Sequence, residues 1–509
     1  MTSFYLTTAI DYSNGEPHLG HAVEKIGADV IARYRRGCGD DVYFLIGMDE
    51  HGQKVQKEAD KNDSQPQDWV NRIAESFQRV WQRLDISNDD FIRTSENRHH
   101  LGVTTLMEKI GEKGDFHRAK YEGYYCAGCE AFKKEDELEN GQCPLHLGRE
   151  IEWTEEENWF FELSKYSAEL LELVQTRPDF VRPRSRLNEI TRLIESGLED
   201  ISASRSRISW GVPFPEDRDH TVYVWFEALA SYITALGYPD SELFQKMWPA
   251  DLQIIGKDIT RFHCVYWPAI LLAAGVPVPK SVWGHGFINI GGAKLSKSSG
   301  TELDLLELID RHGADALRYF LMREVPWDGD RNFSSVDEFV QQFDRRYTTD
   351  LANDLGNLLN RVVSMVSKYR NGMIATVPEG ELSNHMKMSL STYREAMDDY
   401  RLHKALIATF DLVGFANSFV DQTKPWTLAK EETKGASSAE LDSVLGQLIC
   451  ALGVTAVMLA PFLPDKAAEL WGVLGGGEFP PHFDHLSVAM ETLGRVEPGS
   501  VLFPRPEEI

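Results

Sequence analysis

Apolar residues recur along this chain in two rhythms, and the change from one to the other divides it. Ser3 to Ala9 is rich in β-forming residues and reads as a short strand. Asp11 to Glu16 with Pro17 reads as a turn, and the stretch from there to about Arg36 has amphipathic helical spacing. Asp41 to Ile46, Leu252 to Ile255 and Val282-Trp283 read as further buried strands, each near a helical pattern. Strands alternating with helices predict an α/β fold with a Rossmann-like, doubly wound parallel sheet. From about Phe116 to Ile151 the periodicity gives way to Gly, Cys and charge, the composition of a small inserted module. From about Ser335 the strands stop. Runs such as Asp350 to Val363 keep helical spacing to about Leu474, which predicts an all-α C-terminal domain. The expected organisation is an α/β domain over 1–115 and 152–334, interrupted by a module at 116–151 and followed by a helical domain over 335–509.

Composition narrows the picture. A chain of 509 residues exceeds what one core organises, in keeping with several modules. The longest apolar runs, such as Ala269 to Ala274, fall short of the roughly 18 residues of a membrane span, so none is expected. The N-terminal stretch has neither a basic leader nor an Arg-rich amphipathic pattern, and a cytoplasmic protein is expected. The net charge of -26, from 53 Lys+Arg against 79 Asp+Glu, disfavours indiscriminate nucleic-acid binding, because such a field repels phosphates. Any RNA must meet a local basic strip, for which Arg345-Arg346, Arg361, Lys368, Arg370 and Lys424 are candidates; each alone reads as part of a solvated helix face. Of the six cysteines, Cys126, Cys129 and Cys143 cluster, whereas Cys38, Cys264 and Cys450 are scattered. That is a poor disulfide framework and points to a metal site, with the scattered three as buried small hydrophobes.

Several groups carry candidate chemistry. Pro17-His18-Leu19-Gly20-His21 follows the first strand and turn, where a helix N-terminus presents N–H groups and positive dipole to phosphates. His18 and His21, three apart, share a helix face, and Gly20 leaves room for a nucleotide base against the backbone. Lys294-Leu295-Ser296-Lys297-Ser298 follows the Gly291-Gly292 turn and offers two ammonium groups that can neutralise phosphate charge in a transition state. Alone, that string also reads as a solvated loop. Cys126-Ala127-Gly128-Cys129 and Cys143-Pro144-Leu145-His146 have the spacing of tetrahedral Zn²⁺ knuckles. Three thiolates and an imidazole leave no position open to water, which makes the site structural; unliganded core cysteines are the other reading. Trp225, Ala228 and Tyr232 fall on one face of a helix, a stripe that spacing alone would assign to the core. Asn357 and Arg361, four apart, and Trp426, after Lys424-Pro425, read by themselves as a polar surface and a core tryptophan.

In this order, the histidine and lysine strings resemble the His-Ile-Gly-His and Lys-Met-Ser-Lys-Ser signatures of class I aminoacyl-tRNA synthetases. The likeness to the methionyl-tRNA synthetases, particularly the bacterial kind, runs through nearly the whole chain. It includes Asp49-Glu50-His51-Gly52, Tyr223-Val224-Trp225, Ile255-Gly256-Lys257-Asp258 and Lys424-Pro425-Trp426. The chain departs in having Leu295 for the usual Met, Glu227 where Asp is common, and Leu229 where some members have Pro, none of which removes a group the chemistry needs.

The resemblance implies ATP-dependent ligation of L-methionine to tRNA(Met) through methionyl-adenylate, with ATP, Mg²⁺ and a structural Zn²⁺. It places His18, His21, Lys294 and Lys297 on the phosphates, and Gly20, Gly256, Lys257, Asp258, His285 and Ser298 about ATP. Ile10, Tyr12, Trp225, Ala228, Leu229, Tyr232, Ile259 and His263 would surround the methionine side chain, with Asp49 on the α-ammonium; His263 also reads as a structural histidine. Asn357, Arg361 and Trp426 would meet the anticodon, by the stacking and hydrogen bonding with which proteins read single-stranded RNA. Cys126, Cys129, Cys143 and His146 would hold the zinc. The competing readings are a class I synthetase for another amino acid, a non-catalytic RNA-binding paralogue, and a paralogue delivering methionine to an acceptor other than tRNA. No DNA or membrane partner is expected, and with no appended OB-like module after Val501 to Ile509 a monomer is expected.

Overall fold

The computed structural model describes residues 2–126, 131–133, 135–144, 151–291, 293–294, 303–374, 379–483, 493–497, 499 and 501–505. Its centre is a seven-stranded sheet of β1 (Ser3–Thr8), β2 (Asp11–Tyr12), β3 (Asp41–Asp49), β4 (Asp90–Arg93), β5 (Val181–Arg182), β6 (Leu252–Gly256) and β7 (Val282–His285). All its pairings are parallel. β1 lies between β3 and β6, with Leu6 opposite both Phe44 and Leu252. The chain leaves β1 towards β3 and β4 on one side and returns as β6, β7 and β5 on the other. Burial on both faces explains why β3 and β6 read as continuous apolar runs rather than as alternation.

Helix α1 (Leu19–Gly37) packs against β1, β3 and β6. The amphipathic spacing predicts a polar face in water, but Glu24, Lys25 and Asp29 are buried. They face Asp11, His285 and Arg318, which neutralise them inside the fold.

The stretch expected to be irregular has a regular stem. Phe116–Cys126 pairs antiparallel with Glu152–Phe161 along nearly its whole length, and Ala131–Lys133 and Ile201–Ser202 complete a four-stranded sheet. Charged residues on its exposed face dilute the period-two signal.

No strand follows Arg331–Phe333 among the described residues, and the rest is helical. One helix there, Ala439–Leu459, is long and apolar enough to cross a membrane, with a mean hydropathy of 1.7 over its most apolar window, contrary to the expectation that no segment reaches that length. That window is 89% buried inside the protein, packed on Glu381–Asp398, Leu402–Thr423 and Pro464–Val473, so it is a core helix. Of the scattered cysteines, Cys264 and Cys450 are buried as expected, while Cys38 is half-buried at the end of α1.

Candidate active site

In an open parallel sheet, ligands sit beyond the carboxyl ends of the strands where the strand order reverses. Here that point lies between β1 and β6. Ile10 and Tyr12 follow β1, Asp49 ends β3, Gly256 ends β6 with Lys257 and Asp258 after it, and His285 ends β7. The topology thus brings to one rim residues that lie far apart in sequence.

His18 is the N-cap of α1 rather than a residue of its first turn. Its Nδ1 accepts from the Gly20 N–H at 3.1 Å, and Nδ1 of His21 accepts from the His18 N–H at 3.2 Å. The rings stack at 3.7 Å. With Nδ1 accepting, each imidazole carries its proton on Nε2. Gly20 serves this arrangement: a Cβ there would stand 3.0 Å from Cε1 of His18.

The aromatic stripe lies on helix α2 (Val224–Thr234). The Tyr232 hydroxyl donates to Nε2 of His263 at 2.7 Å, and Nδ1 of His263 donates to the Ile259 carbonyl at 3.1 Å. Burial pushes the His263 imidazole down to about 4, so the ring is neutral. Ala228, Leu229 and Tyr232 are buried, and Ile10, Trp225 and Ile259 are partly buried against one apolar cluster that includes Leu229 and Tyr232. Phe262, which sequence reasoning missed, stacks on Trp225 at 3.7 Å with planes 10° apart. Its signal lay in its place beside His263, at the start of the helical segment Phe262–Tyr266.

Asp49 is buried at the rim, and the segment after it is tied to α2, because Nδ1 of His51 bonds the Glu227 carboxylate. Although burial pushes the Glu227 carboxyl up, His51 and then His99 more than offset it and hold it below the ordinary carboxylate range. The Glu in place of the common Asp therefore has a partner.

On the nucleotide side, Lys257 Nζ reaches both oxygens of Asp330 at 2.6 and 2.8 Å, while Asp258 is exposed. A Cβ on Gly256 would stand 2.8 Å from Asp258 Oδ1. His285 is buried, with Nε2 donating to Glu24 at 3.0 Å and Nδ1 2.7 Å from the Gly286 carbonyl. Lys294 lies on a hairpin strand opposite Asn289. Lys297 and Ser298 lie outside the described residues.

Cys126 closes the strand Phe116–Cys126 and, like Cys143, is fully buried; Cys129 and His146 lie outside the described residues. In the helical part, Asn357 opens the helix Asn357–Arg370, and Arg361 pairs with Asp421 at 2.6 Å. This helix packs against Pro425–Glu432, whose Trp426 is 45% exposed and therefore no core tryptophan. Part of the expected basic strip is neutralised: Arg346 pairs with Glu324 and Asp350, and Arg370 with Glu432 and Asp442.

A family model described as tRNA synthetases class I (M) matches residues 4–363, and a second, described as the anticodon binding domain of methionyl tRNA ligase, matches residues 371–505. A class I synthetase is thus the class that the parallel sheet, its rim and the helical domain define. The Methionine–tRNA ligases of Caldanaerobacter subterraneus subsp. tengcongensis and Thermotoga maritima are 42% and 41% identical, over 99% and 98% of this chain and 79% and 78% of theirs. The Mycobacterium tuberculosis methionyl-tRNA synthetase in complex with methionyl-adenylate is 38% identical, with a TM-score of 0.93 over 99% of this chain and 100% of that one. Its apo form is 35% identical, with a TM-score of 0.86 over 100% and 99%. The chain belongs to the methionyl-tRNA synthetase family.

Proposed function

We propose the following division of labour for an enzyme that ligates L-methionine to tRNA(Met). The methionine carboxylate attacks the α-phosphorus of ATP and pyrophosphate leaves. A ribose hydroxyl of the tRNA terminal adenosine then attacks the methionyl-adenylate, and AMP leaves. Such catalysis is mainly orientation and charge stabilisation. The observation that carries the reading is the histidine cap at the switch point, where the stacked His18 and His21 rings are held at the head of α1 through Nδ1; both imidazoles would donate to phosphate. Lys294, Lys297 and Ser298 approach the same phosphates from the other half of the chain. Gly20, Gly256, Lys257, Asp258 and His285 shape the nucleotide side.

Ile10, Tyr12, Trp225, Ala228, Leu229, Tyr232, Ile259 and His263 enclose the methionine side chain, with Asp49 on its ammonium. The support is a largely apolar cluster of side chains whose one imidazole is neutral, which suits an uncharged thioether. Asn357, Arg361 and Trp426 meet the anticodon, a role supported by the exposure of Trp426. Mg²⁺ would ride on the triphosphate, because no three His, Cys, Asp or Glu side chains converge as a metal site among the described residues. Zn²⁺ would be held by Cys126, Cys129, Cys143 and His146 and would knit the tip of the inserted sheet; the two buried cysteines fit that use.

On this reading the catalytic domain comprises 1–115 and 152–334, the zinc module 116–151 and the anticodon domain 335–509. The enzyme is cytoplasmic, where thiols such as Cys264 and Cys450 stay reduced. It is monomeric, since exposed large apolar side chains such as Leu101, Trp153, Met388 and Trp426 stand on separate elements. Pyrophosphate exchange with each of the twenty amino acids tests the reaction. Methionine alone should support it, and exchange with a different amino acid, or with none, overturns the reading.

A further inference from the structure

Lys25 is fully buried on α1, one turn beyond His21, yet it carries an ammonium. An ammonium has three N–H donors, and all three have a partner: the Ala9 carbonyl at 2.8 Å, Asp11 Oδ1 at 3.0 Å and Glu24 Oε1 at 2.8 Å. Two of those acceptors flank Ile10, so the ammonium grips the turn between β1 and β2 on either side of that residue. The third, Glu24, accepts through its other oxygen from His285 at the end of β7. One buried charge thereby joins the segment carrying Ile10 and Tyr12 to the strand end that leads to the lysine hairpin.

Asp11 depends on this clamp. Its Oδ2 is buried without a hydrogen-bond partner, and burial pushes its carboxyl up to about 7 even with Lys25 beside it. Desolvation also opposes the charge on Lys25, but Asp11 and Glu24 outweigh it and raise the ammonium above its ordinary value. Burial raises the Tyr232 phenol well above its ordinary value, and Glu24, Asp49 and Asp11 add to the rise.

We propose that Lys25 is a positioning residue for methionine: it holds Ile10 and Tyr12 at a fixed place relative to the nucleotide end of the crevice. The inference rests on the reading of those two residues as methionine contacts. A buried charge left without its partner can unfold a protein, so the informative change removes one charge of each sign. The double variant Asp11→Asn/Lys25→Met keeps the charge balance and the Glu24–His285 contact but loses the clamp.

In methionine-dependent pyrophosphate exchange this variant should raise the KM for methionine by about tenfold or more, the scale of one charge-assisted hydrogen bond, while the KM for ATP stays within about twofold. A methionine KM within about threefold of wild type, or an equal rise in both constants, overturns the proposal. A purely structural role would lower the melting temperature or the titre of active sites without separating the two constants. If the double variant does not fold, Asp11→Ala alone, which leaves Lys25 paired with Glu24, is read by the same criteria. Wild-type enzyme without methionine-dependent exchange would overturn the reaction itself, a failure visible before any variant is made.

Discussion

Arg318 Nη2 and Asp29 Oδ2 meet at 2.6 Å, and neither side chain is exposed. Arg318 also donates to the carbonyls of Leu84, Pro461 and Phe462, and Asp29 accepts from Arg33 and Ser87. The pair fastens α1 to the turn before Pro464–Val473. Burial alone would raise the Asp29 carboxyl, but Arg318 and then Arg33 override it and hold it below the ordinary range.

Arg318→Met leaves the buried Asp29 carboxylate with only the half-buried Arg33 as a cationic partner and should lower stability by about 3 kcal/mol in urea denaturation. Because the Asp29 carboxyl is depressed in the fold, its contribution is complete above the unfolded carboxylate range and is lost as the pH falls through the folded value. The wild-type and variant stabilities should therefore converge in acid. A loss under about 1 kcal/mol at neutral pH would show that the pair is dispensable.

Two substitutions separate the capping role of His18 from its phosphate role. Asparagine is a good N-cap but offers no imidazole Nε2. His18→Asn should keep the melting temperature and slow adenylate formation by about 10²–10³-fold, whereas His18→Ala should also lose about 1 kcal/mol of stability. Near-normal exchange by the asparagine variant would assign His18 to capping alone.

Burial pushes His263 down to about 4 and His99 to about 3. An unfolded histidine takes up its proton near pH 6.5, so between that value and the folded ones the unfolded chain binds protons the native state refuses. Their contribution is present above about pH 6.5 and lost as the pH falls towards 4. His99→Gln and His263→Gln should flatten the fall in stability over that window, measured by thermal melts at each pH. Slopes parallel to wild type would refute this.

Trp426 is 45% exposed, so Trp426→Ala should leave stability within about 0.5 kcal/mol. Stacking with a base is worth about 1–3 kcal/mol, so the specificity constant for tRNA should fall about 5- to 150-fold while pyrophosphate exchange is unchanged. Equal losses in both assays would mean that the tryptophan holds the fold instead.

Zinc is expected at about one equivalent per chain by atomic absorption, and Cys143→Ser should lower that content and loosen the module without abolishing pyrophosphate exchange. A metal-free protein with the fold intact would remove zinc from the account.

The parallel strands were legible because strands buried on both faces leave dense apolar runs, whereas the rim strings such as Asp49 to Gly52 stood out only through the resemblance to the synthetases, not through their spacing. The partners of the buried charges were not. Lys25 reads as the polar side of an amphipathic helix, and nothing in the spacing shows that Asp11, fourteen residues earlier, lies against it. Trp225 was legible but Phe262 was not, because their stack is made across two segments. The acidic partners of Arg346, Arg361 and Arg370 were hidden for a related reason: Glu324, Asp421 and Glu432 lie 22 or more residues away from them in the sequence.

The buried helix Ala439–Leu459 constrains how the protein can be cut. Glu381–Asp398 and Leu402–Thr423 lie against it, so a fragment that stops short of residue 439 lays their oily flanks bare to water. Such a truncation should clump or cling to detergent, whereas one that removes the whole bundle takes those flanks away with it.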